Sequence, residues 1–210
     1  MLFGQTGTAN ADAPQFDDLY GTAARLRVPL YPHPQTPLQP IQEGYYTGLD
    51  SHVDVMFATF GLGWYYDNGV QLLRLIFSGV FDRHPDLQVI VGHWDELVLL
   101  SLDHIATMQS TGLHLDRPLA DSFRQNVWVT GSGLLSERYL RWTADVVGTD
   151  RMMYSSDYPF TYATSTPLLD TSGGRGRAFL EQAPLTESEK VAVGFGNWER
   201  LMQNRSTPPE

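Results

Sequence analysis

The chain contains no cysteine among its 210 residues. This absence excludes disulfide bonds, thiolate zinc sites and cysteine nucleophiles. No apolar run reaches the roughly 18 residues of a membrane-spanning helix, and the first residues lack the basic-then-apolar pattern of a signal peptide. We therefore expect a cytoplasmic protein that has no membrane partner.

Positive charge is scarce as well. There are 14 Lys and Arg residues against 24 Asp and Glu residues, which gives a formal net charge of -10. Because this surface repels phosphate backbones, a nucleic-acid partner is not expected. The 42% hydrophobic and 18% charged content is typical of a folded protein. We expect one domain over residues 1–205 and a polar tail over residues 206–210.

Short apolar runs alternate with segments of helical periodicity, which predicts βαβ units around a parallel sheet. About five strands fit two architectures, a doubly wound sheet and part of an eight-stranded barrel. A long proline-rich loop is predicted over residues 34–55. The predicted helices are 17–26, 60–81, 96–108, 136–147 and 186–195, and the predicted strands are 2–5, 28–31, 87–91, 127–129 and 152–154.

Chemically active side chains follow three of these strands: His33, the pair His93 and Glu96, and Asp157. In a parallel barrel the carboxyl ends of the strands meet on one face, where active sites lie. Imidazole and carboxylate groups suit zinc, manganese or iron. These positions predict a metal site, and the alternative is a set of unrelated polar residues with ordinary hydrogen bonds.

Four segments together resemble one protein family, and they occur in its order. They are residues 27–33 (RVPLYPH), 87–96 (LQVIVGHWDE), 152–160 (MMYSSDYPF) and 196–201 (GNWERL). The family is that of aminocarboxymuconate semialdehyde decarboxylase in the amidohydrolase superfamily, and the closest branch is the resorcylate and dihydroxybenzoate decarboxylases. The resemblance implies an α/β fold that forms the C-terminal portion, about strands 4–8, of a (β/α)8 TIM-type barrel.

The resemblance also implies roles for the strand-end residues. His33 and Asp157 would be ligands of a divalent metal, Zn or Mn, and Asp157 would also carry the proton. His93 would contact the substrate or a metal-bound water. Glu96 would orient His93; the alternative is a solvated carboxylate in the first turn of a helix.

Three further residues are weaker substrate-binding candidates. His52 lies in the proline-rich loop, which in such barrels covers the site. Trp94 adjoins His93 and Tyr158 adjoins Asp157, so each could face a flat ligand. Core packing is the alternative for the tryptophan.

Two departures from the family pattern are visible. No histidine or glutamate precedes His33, so the family's strand-one ligand pair is missing. We therefore expect an N-terminally truncated barrel, whose exposed sheet edges favour a homo-oligomer. Asp95 stands where the family has glycine, and Ser101 stands near a family arginine that recognises the substrate carboxylate.

Three functions follow as alternatives. The leading one is metal-dependent, non-oxidative decarboxylation of a hydroxylated aromatic or related unsaturated carboxylic acid. The second is metal-dependent hydrolysis of a lactone or amide, with Asp157 as the base. The third is a truncated half-barrel without catalysis.

Overall fold

The computed structural model describes residues 1–157 and 174–203. Its strands are short, between two and four residues long, and five of them run parallel. The strands are β1 (Leu2–Phe3), β2 (Gln5–Thr6), β3 (Ala9–Asn10), β4 (Pro32–His33), β5 (Val89–Val91), β6 (Val127–Thr130) and β7 (Met152–Met153).

The parallel strands follow one another in the order β1, β4, β5, β6, β7. Leu2 of β1 pairs with Pro32 of β4, and a single parallel bridge from Leu30 to Val89 joins the next strand. From there β5 pairs with β6, and β6 pairs with β7. The remaining two strands form an antiparallel hairpin directly after β1. The carboxyl ends of the five parallel strands therefore lie at the same edge of the molecule.

Helices connect these strands and pack against the sheet. Among the described residues they are α1 (Asp17–Arg25), α2 (Gln39–Ile41), α3 (Ser51–Met56), α4 (Gly63–Phe77), α5 (Val80–Arg83), α6 (Glu96–Ala106), α7 (Leu119–Asn126), α8 (Glu137–Val147), α9 (Gly174–Gln182), α10 (Glu187–Val191) and α11 (Asn197–Gln203). None of them is both long and apolar enough to cross a membrane.

Helix α8 shows how the sequence produces these elements. Ser136 caps its first turn by accepting a hydrogen bond from the backbone N–H of Tyr139. Its buried residues, Leu140, Thr143 and Val147, recur every three or four positions and so form one face. That face packs toward the sheet, while Arg141 on the other side of the helix remains exposed.

The two faces of the sheet bury different clusters. Valines of β5 and β6 pack with the helices, and this cluster includes the fully buried Phe81 and Phe123. Burying one such aromatic side chain contributes roughly 1.5–3 kcal/mol. The other face carries a smaller cluster, which consists of Ile90, Trp128, Met153 and Leu201 with Tyr31 packed against it. We call this second surface the inner face.

The structure modifies several sequence-based boundaries. The predicted helix 60–81 is two helices, because Gly79 adopts a left-handed φ of 71° that ends the first and starts the second. The predicted loop 34–55 contains helical turns, among them α2 and α3. A capping box starts α10, with Thr186 and Glu189 bonded in both directions.

Candidate functional site

The strand-end residues occupy the carboxyl edge of the sheet. His33 is the last residue of β4, and His93 follows β5 by two residues. Asp157 is the fourth residue after β7. The His33 side chain interacts electrostatically with both of the other residues. The structure therefore brings an imidazole pair and a carboxylate from three strands to one place.

The His33 ring has a defined orientation. Its Nδ1 lies 2.7 Å from the carbonyl oxygen of Pro34. Because a carbonyl oxygen accepts hydrogen bonds, Nδ1 carries the proton and Nε2 keeps a free lone pair. The ring also meets Phe3 of β1 edge-on, with the ring centroids 5.9 Å apart at 89°. Fixing one nitrogen in this way is how metal-binding histidines are commonly oriented.

His93 begins an unusual turn. His93, Trp94 and Asp95 have φ values of 55°, 61° and 45°, so three successive non-glycine residues are left-handed. Left-handed backbone costs about 1–3 kcal/mol at each such residue and clusters at functional sites. The turn joins β5 to α6, so the backbone that carries His93 is held in a rarely populated conformation.

The His93 ring is enclosed. The ring of Tyr65, from α4, lies 4.6 Å from it at an angle of 50°. Burial, reinforced by the interaction with His33, lowers the pKa of His93 to about 4. Its buried Nδ1 atom has no hydrogen-bond partner among the described residues. The ring is therefore neutral near pH 7 and retains an unused polar atom inside the site.

Asp157 has a strained backbone and a perturbed carboxyl group. Its φ of 57° is left-handed. Burial raises the pKa of Asp157, and the interaction with His33 acts in the opposite direction. A carboxyl group with a raised pKa is suited to proton transfer. The geometry is compatible with the two predicted roles, metal ligand and proton carrier, which stay predictions.

The remaining predicted residues lie elsewhere or outside the described part. Trp94 is 4% exposed, and its indole N–H donates to the carbonyl oxygen of Leu134 at 2.7 Å, which is the packing alternative. His52 lies on α3 with its side chain exposed, and this position does not favour contact with the strand-end residues. The side chain of Glu96 and all of Tyr158 lie outside the described residues, so their roles stay predictions.

Tyr65 is a site residue that the sequence did not single out by function. It belongs to the aromatic run Trp64–Tyr66, and core packing is the usual role of such a run. Its contact with His93 joins residues that are far apart in the chain and that share no motif. The one available signal was its position in the first turn of a helix that follows the proline-rich loop.

The donor atoms suit a divalent metal in kind, but among the described residues they are not placed as a group of three that could hold one. The free Nε2 of His33, the Asp157 carboxylate and the unpartnered Nδ1 of His93 are groups that Zn or Mn accepts. Within residues 1–157 and 174–203, however, no group of three or more His, Asp or Glu side chains is placed to hold a metal ion. Catalytic zinc sites use about three protein ligands.

Comparison with known proteins gives the family. The model of a family described as amidohydrolase matches residues 3–201. The chain belongs to the amidohydrolase family. This confirms the resemblance that the four sequence segments indicated.

Individual relatives in this family are decarboxylases by name. The chain is 32% identical over 200 residues to the decarboxylase orsB of Emericella nidulans, covering 91% of this chain and 57% of that protein. It is 29% identical over 197 residues to the gamma-resorcylate decarboxylase of a Polaromonas species, covering 91% and 56%. The chain therefore spans about half the length of the curated relatives it matches.

A solved structure shows the same arrangement of elements. It is a dihydroxybenzoic acid decarboxylase from Polaromonas, crystallised with manganese and the inhibitor 2-nitroresorcinol. The TM-score is 0.78 at 25% identity, and the match covers 94% of this chain and 57% of that one. The amidohydrolase fold is thus common to both.

Proposed function

We propose that this chain contributes His33, His93 and Asp157 to the active site of a metal-dependent decarboxylase. The substrate class is a hydroxylated aromatic or related unsaturated carboxylic acid. The proposal is supported by the position of the three residues at the carboxyl edge of the parallel strands. His93 and Asp157 both lie within electrostatic range of His33. The names of the relatives, gamma-resorcylate decarboxylase among them, support the reaction class.

We also propose the architecture that this function requires. The five parallel strands would be strands 4–8 of an eight-stranded barrel, formed by a single domain over residues 1–205. Further metal ligands would then come from strands outside these five, in keeping with the finding that the described residues contain no complete group of ligands. A cytoplasmic homo-oligomer remains our expectation for the assembled protein.

The residues present suggest how a divalent metal would be held. His33 would bind it through Nε2 and Asp157 through its carboxylate. Manganese is the metal in the related Polaromonas structure, and zinc is the alternative. When bound, such an ion supplies a Lewis acid that polarises substrate oxygens and orients the ring.

Asp157 would supply the proton. Burial raises the pKa of Asp157, which favours the protonated form that can donate. Its proton would pass to the ring carbon that bears the carboxylate. The bond from that carbon to the carboxylate then breaks, its electron pair restores the aromatic ring, and carbon dioxide leaves. Charge and atoms balance, since the substrate carboxylate and one proton give the arene and carbon dioxide.

His93 would bind substrate oxygen. Its low pKa keeps the imidazole neutral, so one nitrogen donates a hydrogen bond and the other accepts one. Tyr65 shields one face of the ring from water. We expect Glu96 to fix the tautomer, as the family resemblance implies.

Metal binding by the purified chain tests the proposal. Protein stripped with EDTA is titrated with Mn²⁺, and binding is followed by calorimetry and by the loss of the free Mn²⁺ electron-spin signal. We expect His33→Ala and Asp157→Asn to weaken binding at least tenfold, as loss of a ligand should. His104→Ala, at an exposed position on α6, is the matched control and should bind like the parent.

The outcomes separate the alternatives. Carbon dioxide release from 2,6-dihydroxybenzoate supports decarboxylation, and ring opening of a lactone without such release supports hydrolysis. Unchanged Mn²⁺ affinity in both variants would remove these residues from the metal site. A parent chain that binds no Mn²⁺ would favour the non-catalytic half-barrel.

A further inference from the structure

Three hydroxyl groups meet on the inner face of the sheet. The Ser132 oxygen lies 3.2 Å from the Tyr31 hydroxyl and 3.1 Å from the Thr130 hydroxyl, and the last two are 3.5 Å apart. Thr130 is 4% and Ser132 is 3% exposed. Buried hydroxyl groups require partners, and these satisfy one another. We call Tyr31, Thr130 and Ser132 the hydroxyl cluster.

The hydroxyl cluster connects the strands that carry the site residues. Tyr31 precedes His33 by two residues, so both side chains point to the same face of the strand. On the other side of the cluster, the backbone N–H of Ser132 donates to the hydroxyl of Ser155 at 3.1 Å. Ser155 in turn precedes Asp157 by two residues. The cluster is therefore bonded to residues that precede each of the two proposed metal ligands by two positions.

A glycine makes this contact possible. A Cβ atom built on Gly92 would lie 2.7 Å from the Ser132 hydroxyl oxygen and 2.8 Å from the Tyr31 hydroxyl oxygen, well inside contact distance. Gly92 is the residue before His93. The two hydroxyl groups thus occupy the space that a side chain at Gly92 would need, directly before the third site residue.

Ser132 adopts a strained conformation to reach this position. Its φ of 42° is left-handed, although it is neither glycine nor exposed. Residues hold such values only when surrounding structure fixes them. Here the fixing contacts include the two hydroxyl partners and the bond to Ser155.

We propose that the hydroxyl cluster is a positioning element that sets the relative placement of His33, His93 and Asp157. It acts through the strand ends and not by touching substrate. That these three form a metal and substrate site rests on the proposed function, whereas their placement by the cluster is independent of it. None of the four sequence segments that resemble the family pointed to this network.

Matched substitutions at Thr130 provide the test. Thr130→Val keeps the volume and removes the hydroxyl, while Thr130→Ser keeps the hydroxyl. The readout is the imidazole nitrogen spectrum of the metal-free chain, recorded by nuclear magnetic resonance in EDTA. We expect Thr130→Val to shift the His33 and His93 signals and Thr130→Ser to leave them in place. The exposed His104 and His114 serve as internal references.

A second variant keeps the test decisive if the valine protein folds poorly. Tyr31→Phe removes one oxygen atom and should shift the same two histidines, while Ser110→Ala, which removes an exposed hydroxyl, should not. Unmoved His33 and His93 signals in both Thr130→Val and Tyr31→Phe, with only a lower melting temperature, would overturn the positioning role.

Mn²⁺ titration distinguishes this failure from failure of the proposed function. If the parent binds Mn²⁺, we expect Thr130→Val to weaken binding roughly tenfold, as loss of groups that orient metal ligands does, and Thr130→Ser to restore it. If the parent binds no Mn²⁺, the proposed function fails, and the histidine signals still decide the positioning role.

Discussion

Asp67 offers a test of the electrostatics of the fold. It lies on α4 and is 6% exposed, and no hydrogen bond to its carboxylate is found among the described residues. Burial raises its pKa from 3.8 to about 6. At pH 7.5 the side chain is therefore ionised in an environment that opposes the charge. We expect Asp67→Asn, which removes the charge and keeps the shape, to stabilise the protein there.

The size of the expected stabilisation by Asp67→Asn follows from the raised pKa of Asp67. A rise of about two pH units corresponds to roughly 3 kcal/mol between the two protonation states. Screening by the adjoining solvent reduces this to roughly 1–2 kcal/mol. For a protein of this size that gain raises the melting temperature by roughly 2–8 °C.

The stabilisation expected from Asp67→Asn depends on pH. Because the folded pKa lies above the unfolded value, the favourable contribution of protonated Asp67 is complete below pH 3.8 and is lost as the pH rises through about 6. In urea unfolding, the free energies of unfolding of the parent and Asp67→Asn should therefore differ at pH 7.5 and be equal near pH 3.5. Asp86→Asn, at an exposed carboxylate, should show no such difference. Equal stabilisation at both pH values would refute the burial argument.

Two other perturbations probe the site and the core. Because the pKa of His93 is lowered to about 4, the free energy of unfolding should fall as the pH falls from 6.5 toward 4. In urea unfolding without metal, His93→Gln should lose less stability over this range than the parent. Parallel pH profiles of the two proteins would contradict this. The Asn126 side chain donates to the carbonyl oxygens of Pro85 and Leu87 at 2.8 and 2.7 Å. Asn126→Ala should cost roughly 2–4 kcal/mol, because two buried carbonyls lose their donor; a loss below 1 kcal/mol would mean that water replaces it.

The sequence predicted the ends of β5, β6 and β7 to within one residue because they depend on local patterns, whereas the strand predicted over residues 28–31 lies at Pro32–His33. Apolar runs ending in His93 and Asp157 mark buried strands, and the parallel order then places their ends together. The side chains of Glu96 and Tyr158, in contrast, lie outside the described residues. The family resemblance assigned their roles, and those roles remain predictions.

What the sequence did not predict depends on contacts between distant segments. The hydroxyl cluster joins Tyr31 to Ser132 across about a hundred residues, with no spacing rule to reveal it. The split of the predicted helix 60–81 depends on a single left-handed glycine, while the apolar periodicity continues past it. The helical turns inside the predicted loop 34–55 are short, and α2 contains a proline in its first turn, so the sequence there lacks a clear helical periodicity.

The left-handed turn His93–Asp95 links the site to the stability of the whole protein. Three residues held in a rarely populated conformation return to ordinary backbone angles once the surrounding packing loosens. Tyr65 and the bond from Trp94 to Leu134 are among the contacts that hold them. Substitutions that loosen the packing of α4 or of the segment after β6 should therefore displace His93 before the sheet itself unfolds. A glycine in place of Asp95 would relieve part of this backbone strain.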